Sequence, residues 1–359
     1  MNFKNLSALV GGVKAVDKLE TVNVIATAYT KFNEQVLRIG GIPYGRCTQI
    51  WGPEHAGKSL IVYHLIAMAQ KQRPDKAGVL VDTEMTFDAE FARLNGVDLD
   101  RLIVFQSNQA AETLGNVLKA IETGEVSIVA IDSLGNVDES DSKAGEAFDK
   151  KIVKGLTVDK HATIPGLFAK QMTKFVKKLT PAIVKHDVAF VATNHIREKI
   201  GVLYGPTEDY PGGHAWKHAI SMSLKVRKVT DIRDNPDQVP YGVKVSVATI
   251  KNKLAPCGKT DDSSHLDFYF TEDGIDRAAY GSLYNEAIEK GVLISKGAWL
   301  YLQDGEKRLN SWNGKAKCQD AIMQDAELRD TISKLIAKGA NEPRVGDVPE
   351  SVLDESESD

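Results

Sequence analysis

The sequence predicts an α/β protein built on a mainly parallel central sheet, for two reasons. Short apolar runs alternate along the chain with helical stretches, and strands that alternate with helices form parallel sheets covered on both faces. Hydrophobic residues make up 42% of the chain and charged residues 26%, which is ordinary for a globular protein. Because 359 residues are many for a single core, we expect one large domain and a smaller one.

Five apolar runs, each of a length typical of one strand, predict the parallel part of the sheet. Helical stretches separate them, and the longest carries an apolar side chain every three or four residues, as an amphipathic helix does. The predicted strands are residues 47–51, 79–81, 102–105, 128–131 and 188–192, and the predicted helices are residues 60–70, 111–123 and 164–185.

The flanking regions have a different character. Residues 1–35 predict a short helical N-terminal arm that serves oligomerisation, and residues 36–278 form the predicted core. Within that core, β-rich segments after about residue 218 predict antiparallel strands that extend the sheet. Residues 279–340 predict a small C-terminal α/β lobe. The acidic stretch 341–359, poor in large apolar residues, predicts a disordered tail.

Composition argues against several classes of protein. The cysteines, Cys47, Cys257 and Cys318, are far apart and form no CxxC pair, which suits a reducing cytoplasm and offers no zinc site. No apolar run approaches the ~20 residues of a membrane helix, and the N-terminus lacks the apolar core of a signal peptide. We therefore expect a cytoplasmic protein without a membrane partner. The net charge of -4 argues against nucleic-acid binding through bulk basicity, so such binding needs local basic patches.

The strongest motif is the run Gly52-Pro53-Glu54-His55-Ala56-Gly57-Lys58-Ser59, which has the form G-x-x-x-x-G-K-S and is called the phosphate loop below. An apolar strand precedes it and an apolar helix follows it, which is the context that such a loop requires. Glycines let backbone amides surround phosphates, and the N-terminus of the following helix favours their charge. We expect Lys58 to contact the β and γ phosphates of ATP, and Ser59 to hold Mg²⁺.

Carboxylates complete the predicted site. An apolar strand ends in Asp132, which is expected to hold the Mg²⁺ shell. Asp82 and Glu84 lie two residues apart at the end of another strand, so both side chains are expected on one face. They would lie at the edge where open α/β sheets bind ligands, and Glu84 is the candidate base for the attacking water. A solvated strand end is the alternative interpretation of this pair.

A series of motifs runs in order from about residue 37 to about residue 314. The motifs are GGIPYGRCTQIWGPEHAGKS, VDTEMTFDAEFARLNGVDLDRL, VAIDSLGNV, NHIREKIGVLYG, GGHAWKHA, IKNK and KGAWLYL. In this series the chain resembles the bacterial RecA recombinases and, more closely, the UvsX-type recombinases of phages. The resemblance implies a RecA-like ATPase core, ATP and Mg²⁺ as cofactors, and DNA as a partner.

The resemblance also implies roles for individual residues. It implies that Glu84 is the catalytic carboxylate, that Phe91 stacks on adenine and that Asp88 lies near the adenine edge. A core position in its helix is the alternative for Phe91. His195 stands where bacterial members carry Gln, in a strand implied to sense the γ-phosphate. The pair Asn194-His195 is the feature shared with UvsX-type members.

Lys251 and Lys253 lie two residues apart, hence on one face of a predicted strand. Taken alone, they indicate an exposed strand edge protected by charge. In the recombinases the matching lysines reach the γ-phosphate of ATP bound by the neighbouring subunit, as an arginine finger does. A site completed in this way requires a head-to-tail interface, which generates an open helix if it does not close. The resemblance therefore implies a homo-oligomeric helical filament.

Two regions are implied to contact DNA. On the helix predicted over residues 164–185, lysines form a face opposite the apolar stripe, and a solvated helix face is the alternative interpretation. A second DNA loop over about residues 196–216 combines basic, aromatic and glycine residues, and a mobile surface loop is the alternative. The first DNA loop is expected over about residues 137–162, without assigned residues. The implied DNA contacts are Lys170, Thr173, Lys177, Arg197, Tyr204, Gly212, Gly213 and His214.

Together these features predict a recombinase that coats single-stranded DNA and pairs it with homologous double-stranded DNA. Single-strand-binding and mediator proteins are further expected partners, and the acidic tail is expected to compete with DNA for the basic surface. A DNA helicase of the same fold is the first alternative. A non-catalytic single-strand coating or mediator protein is the second, and the set of Lys58, Glu84 and Asp132 argues against it. Stimulation of ATP hydrolysis by DNA would separate the catalytic and non-catalytic classes.

Overall fold

The structure, a computed structural model, describes residues 22–137, 167–198, 208–233, 235–257 and 263–340. The predicted acidic tail, nearly all of the predicted first DNA loop and the first 21 residues of the predicted arm lie outside these ranges. Of the helices inside them, none combines the length and the apolar character that a membrane span requires.

Strands and helices alternate along the described chain. The strands are β1 (Val24–Ile25), β2 (Ile42–Pro43), β3 (Cys47–Gly52), β4 (Ala77–Asp82), β5 (Leu102–Gln106), β6 (Val126–Asp132), β7 (Ala189–His195), β8 (Arg197–Glu198), β9 (Glu208–Asp209), β10 (Ile220–Ile232), β11 (Gly242–Asn252), β12 (Ser263–Tyr269), β13 (Leu293–Lys296), β14 (Trp299–Asp304) and β15 (Lys307–Asn313). The helices are α1 (Lys58–Gln72), α2 (Ala89–Leu94), α3 (Ala110–Glu122), α4 (Leu167–His186), α5 (Gly213–Ala219), α6 (Gly274–Glu289), α7 (Lys315–Gln324) and α8 (Ala326–Ala340).

Eight strands form the central sheet, in the order β12-β11-β10-β3-β7-β6-β4-β5. Neighbouring strands are parallel from β10 to β5, whereas β10, β11 and β12 pair antiparallel. The predicted α/β class, the five predicted parallel strands and the antiparallel extension are therefore confirmed. Because β3, β4, β5, β6, β7 and β10 are parallel, their carboxyl ends meet at one edge, called the carboxyl edge below. The edge at which β3 begins is called the opposite edge.

The sheet is buried on both faces. Neighbouring residues of one strand belong to different cores: Ile128 of β6 packs with helix α1, and Val129 packs with helices α3 and α4. This alternation follows from the two-residue period of a strand. Both side chains are fully buried, and each such burial contributes about 1.5–3 kcal/mol.

Residues 22–37 pack into the core on the α1 face. Ile25, Tyr29 and Phe32 are buried there, and the Ala28 N–H donates to Nε2 of the buried His64 at 3.1 Å. The described end of the predicted arm is thus part of the main core. Its apolar residues are spaced like those of a helix, but the segment forms strand β1 and a π-helical turn over Phe32–Val36.

The C-terminal lobe has a core of its own. Strands β13, β14 and β15 form an antiparallel sheet that α6, α7 and α8 cover. Helix α6 connects the two parts, because its Ala278 joins the main core and its Tyr284 joins the core of the lobe. The predicted boundary after residue 278 falls within this helix.

Candidate functional site

The phosphate loop lies at the carboxyl edge, between the end of β3 and the start of α1. Within it, His55 and Gly57 have positive φ angles of 56° and 89°, so the backbone curls rather than running straight into the helix. Helix α1 begins after Gly57 without a side-chain cap. No side chain therefore competes with an anion for the first N–H groups of the helix.

Two glycines of the loop lie where a side chain would not fit. A Cβ atom at Gly52 would collide with the carbonyl oxygen of Val226, and one at Gly57 would lie 2.9 Å from Cγ2 of Val245. Both positions therefore require glycine, which lets the loop pack tightly against the sheet. A curled loop of this kind is suited to bind phosphate through its backbone N–H groups.

Lys58 is the cation of this loop. Its ammonium is buried and donates to the carbonyl oxygens of Pro53 at 2.7 Å and Gly52 at 3.3 Å. Burial lowers the pKa of Lys58, and the carboxylates of Asp132 and Glu84 oppose that shift. An ammonium held by neutral carbonyl groups can exchange them for phosphate oxygens, which bind it more strongly.

Asp132 holds two hydroxyl groups at the end of β6. Ser59 Oγ donates to Oδ2 at 2.6 Å, and Thr193 Oγ1 donates to Oδ1 at 2.6 Å. Burial raises the pKa of Asp132, whereas these two hydrogen bonds act in the opposite direction. The hydroxyl of Ser59 and the carboxylate of Asp132 are hard oxygen ligands side by side, which is the donor set that Mg²⁺ takes next to phosphates. The sequence analysis did not identify Thr193.

Glu84 lies beside this pair. Its Oε1 accepts a hydrogen bond from Asn136 Nδ2 at 2.8 Å and lies 3.1 Å from Nε2 of His195. The side chain of Glu84 is about one-third exposed, so water can reach it. The structure thus brings Lys58, Glu84 and His195 to one cavity, and it adds Asn136, which gives no signal in the sequence.

The expectation that Asp82 and Glu84 share a strand face is wrong. Strand β4 ends at Asp82, and the chain then turns through Met85, which has a φ of 56°. The buried carboxylate of Asp82 accepts the N–H groups of Glu84 at 3.1 Å and Phe87 at 2.8 Å. Asp82 therefore organises the loop that carries Glu84 rather than facing the site beside it.

A cavity of about 1070 Å³ opens in front of these residues. The phosphate loop, Glu84 and Asp132 line it. Pro240, Val243 and Phe270 also line it and are called its apolar side below, because they offer surface of the kind that a nucleobase needs. Phe270 could not be found from the sequence, because a single aromatic residue after a strand gives no distinctive signal.

The two residues implied to contact adenine lie next to that apolar side. Phe91 is half-buried, and its ring centroid lies 5.4 Å from that of Phe270. Asp88 is the N-cap of α2 and accepts the Phe91 N–H at 3.0 Å. Neither Phe91 nor Asp88 is among the described residues that line the cavity. Their contact with adenine stays a prediction.

The predicted DNA face of α4 has the expected orientation. Lys170, Thr173 and Lys177 are exposed, and Met172 and Phe175 of the same helix are buried. An ideal Cβ at Gly213 would lie 3.3 Å from Cβ of Ala169, so the start of α4 adjoins the start of α5. His214 at the start of α5 and Arg197 of β8 are exposed, whereas Gly212 is buried and has a φ of 120°. Tyr204 lies outside the described residues.

The return end of the second predicted DNA loop is fixed to the sheet. Strand β9 pairs with β8, and Glu208 of β9 forms ion pairs with Lys225 and Arg227 of β10. The ring of Tyr210 lies against that of Trp51, with 5.3 Å between centroids. Because Trp51 directly precedes the phosphate loop, this end of the predicted DNA region contacts the strand that leads to the nucleotide.

Lys251 and Lys253 lie at the opposite edge. Lys251 Nζ donates to the carbonyl oxygen of Lys217 at 2.7 Å, and Lys253 Nζ donates to that of His218, both at the C-terminal end of α5. A cavity of about 390 Å³ is lined by Lys253 and by Cys47, the first residue of β3. In the sheet register Lys251 pairs with Ser223 and Ser223 pairs with Gln49, so Lys251 lies three residues before the level of Gly52, or about 10 Å along the strands, and two strands away from it.

Comparisons with known proteins agree with this geometry. The chain matches the RecA N-terminal domain over residues 9–275. Protein RecA of Chlorobaculum tepidum is 35% identical over 315 residues, which cover 88% of this chain and 83% of that protein. Protein RecA of Aquifex pyrophilus is 31% identical over 327 residues, which cover 91% and 86% of the two chains. That of Streptomyces venezuelae is 31% identical over 317 residues, which cover 88% and 76%. These relatives give no support to the closer likeness to UvsX-type phage recombinases that Asn194-His195 indicated.

Proposed function

Because this chain belongs to the RecA family, we propose that it is a DNA-dependent ATPase that forms helical filaments on single-stranded DNA and catalyses homologous pairing and strand exchange. The observation that carries the proposal is the division of the site between two edges of one sheet. The phosphate loop, the Ser59–Asp132 pair and Glu84 meet at the carboxyl edge. The two lysines of the family motif lie at the opposite edge.

At the carboxyl edge the residues have separate tasks in ATP hydrolysis. Lys58 leaves its backbone carbonyl partners and binds phosphate oxygens. Ser59 and Asp132 hold Mg²⁺, which supplies neutralisation of the phosphate charge when bound. Glu84 takes a proton from the attacking water, and Asn136 holds its carboxylate in place. His195, which touches the same carboxylate oxygen, lies two residues before the start of β8 and links the base to the predicted DNA region.

The lysines at the opposite edge act on a neighbouring subunit. The ammonium groups of Lys251 and Lys253 bond to the C-terminal end of α5, and neither lysine is among the described residues that line the cavity of their own chain. A head-to-tail neighbour would bring its carboxyl edge against these ammonium groups, which then stabilise the charge that develops on the γ-phosphate. Such an interface repeats without closing and produces a filament.

DNA is held without reading of its sequence. The exposed lysines of α4 and the half-buried Gly213 at the start of α5 are suited to backbone phosphates. Recognition then comes from base pairing between the bound strand and the homologous duplex. The protein needs only local basic patches to hold the DNA backbone, which is compatible with its net charge of -4. The basic face of α4, together with Arg197 and His214, is the proposed contact region.

The first experiment measures ATP hydrolysis with and without single-stranded DNA, in the wild type and in Glu84→Ala. We expect strong stimulation by DNA in the wild type. In the variant turnover should fall by about 10²–10⁴-fold, because general base catalysis contributes that much, while a fluorescent ATP analogue still binds. Hydrolysis that is indifferent to DNA, or that persists in the variant, contradicts the proposal.

A second experiment separates the recombinase from a helicase of the same fold. The protein is given a labelled single strand with either a homologous or a heterologous duplex of equal length. Strand exchange confined to the homologous duplex supports pairing as the function. Unwinding of both duplexes at equal rates would instead favour the helicase.

A further inference from the structure

The side chain of Thr83 continues the sheet where its backbone ladder stops. Strand β4 ends at Asp82, and the next N–H, that of Thr83, donates to the carbonyl oxygen of Asp132 at 2.9 Å. The Thr83 hydroxyl then donates to the carbonyl oxygen of Ser133 at 2.8 Å and accepts the Ser133 N–H at 2.8 Å. One hydroxyl thus satisfies both backbone groups of Ser133, as a peptide group of a paired strand would.

This pair of hydrogen bonds lies in the interior. Thr83 is 4% exposed and Ser133 is fully buried. Without the hydroxyl, the N–H and carbonyl groups of Ser133 lose their partner at a place that water does not reach. Buried backbone groups are rarely left in that state, so the local backbone would move to satisfy them.

A shift of the backbone at Ser133 would also move residues of the candidate site. Glu84 directly follows Thr83, and its carboxylate bonds to Asn136 at 2.8 Å and lies 3.4 Å from Ser133 Oγ, on the segment that follows Asp132. We propose that Thr83 is a positioning residue for ATP hydrolysis, whose hydroxyl fixes the distance between Glu84 and the Mg²⁺ ligand Asp132. The inference rests on the proposed role of Glu84 as the base.

The proposal is tested with the pair Thr83→Val and Thr83→Ser in the full chain with DNA. Valine has the shape of threonine without the hydroxyl, and serine keeps the hydroxyl. We expect Thr83→Val to lower kcat by about tenfold to a hundredfold, because small displacements of a catalytic group cost that much. The thermal midpoint should fall, because two buried backbone groups lose their partner. The KM for ATP should stay close to wild type, and Thr83→Ser should keep most of the kcat.

A double variant separates positioning from a merely structural role. If Thr83 acts through Glu84, the double variant Thr83→Val with Glu84→Gln should be no slower than Glu84→Gln alone, because residues that act together are not additive. Wild-type kcat in Thr83→Val, equal losses in the valine and serine variants, or a further loss in the double variant would each overturn the inference. Wild-type hydrolysis in Glu84→Gln alone would instead overturn the proposed base, which keeps the two failures distinct.

Discussion

The two edges of the central sheet hold their polar side chains differently. At the carboxyl edge side chains bond to one another, as Ser59 and Thr193 do with Asp132 and Asn136 does with Glu84. At the opposite edge Lys251 and Lys253 donate to backbone carbonyl oxygens at the end of a helix. Lys253 is exposed and Lys251 is half-buried. Apart from Lys58, whose ammonium also donates to backbone carbonyl oxygens, the first edge is preorganised by contacts between side chains, and the second presents cations on neutral partners.

This difference indicates which parts of the reaction one subunit can perform. Hydrogen-bonded carboxylates and hydroxyls do not need to rearrange when charge develops, which is the requirement for a catalytic site. The ammonium groups of the opposite edge can leave their carbonyl partners for a phosphate, which binds a cation more strongly. A single chain should therefore bind ATP, and two chains should be needed to hydrolyse it quickly.

The largest effect is expected when the opposite edge loses its charge. The double variant Lys251→Ala with Lys253→Ala should hydrolyse ATP about 10³-fold more slowly, because cations supplied by a neighbour contribute at least that much. Its affinity for ATP should stay near wild type, because the phosphate loop is intact. Turnover by a phosphate-release assay and affinity by fluorescence titration measure both quantities.

Mixing sharpens the same comparison. When the lysine double variant is mixed one to one with Glu84→Gln, about a quarter of the interfaces combine an intact Glu84 with intact lysines. Turnover should then recover to about a quarter of the wild-type value. Each variant alone, at the same total concentration, is the control. A mixture as slow as its components would show that both residues act within one chain.

A smaller effect is expected from changes on the predicted DNA face of α4. The same helix offers a lysine outside that face, Lys185, as a control. Lys170→Ala with Lys177→Ala should weaken single-stranded DNA binding about tenfold and should reduce the salt dependence by ~0.7 per lost phosphate contact. Lys185, which pairs with Glu122 at 3.7 Å near the other end of the helix, is the control. Anisotropy of a labelled oligothymidine at several salt concentrations tests this. Equal losses in Lys185→Ala would assign the effect to bulk charge.

The smallest effect on activity is expected at His64, which is buried in helix α1 away from both edges of the sheet. Burial, together with the nearby Lys71, lowers the pKa of His64 to about 3 in the folded protein, against ~6.5 in an unfolded chain. Below about pH 6.5 the unfolded chain binds a proton that the folded protein does not. The free energy of unfolding should therefore fall by up to ~1.4 kcal/mol per pH unit as the pH falls, and level off near pH 3.

The variant His64→Gln tests this. Glutamine can still accept the Ala28 N–H, so the contact to residues 22–37 remains, but it does not titrate. The variant should show a shallower loss of stability between about pH 6 and pH 4, measured by urea unfolding, and unchanged ATP turnover at neutral pH. The same pH slope in both proteins would show that His64 is not the group responsible.

Much of the fold could be predicted because it follows from hydrophobic pattern alone. Buried parallel strands such as β3 and β6 are short apolar runs, and their ends fall at motif residues such as Gly52 and Asp132. The packing of residues 22–37 could not be predicted in this way. Its apolar residues are too few to distinguish an arm from a core segment that wraps around α1.

Part of the candidate site could likewise be predicted from the sequence, and part could not. Lys58, Ser59 and Asp132 follow from local motifs, whose spacing encodes a geometry. Thr83, Asn136 and Thr193 act through contacts 50 or more residues away in sequence, and a single threonine or asparagine gives no signal of such a contact. The shared face expected for Asp82 and Glu84 is absent because the strand ends at Asp82, two residues before Glu84.

The contact between Trp51 and Tyr210 has a practical consequence. The indole ring of Trp51 lies between the phosphate loop and the return end of the predicted DNA region, and its Nε1 donates to Ser223 at 3.0 Å. Indole emission responds to changes in stacking and hydrogen bonding, so this ring is a built-in optical reporter. With Trp299 and Trp312 of the lobe replaced by phenylalanine, the emission of the remaining tryptophans would follow the arrival of nucleotide and of DNA in one cuvette, without an attached dye.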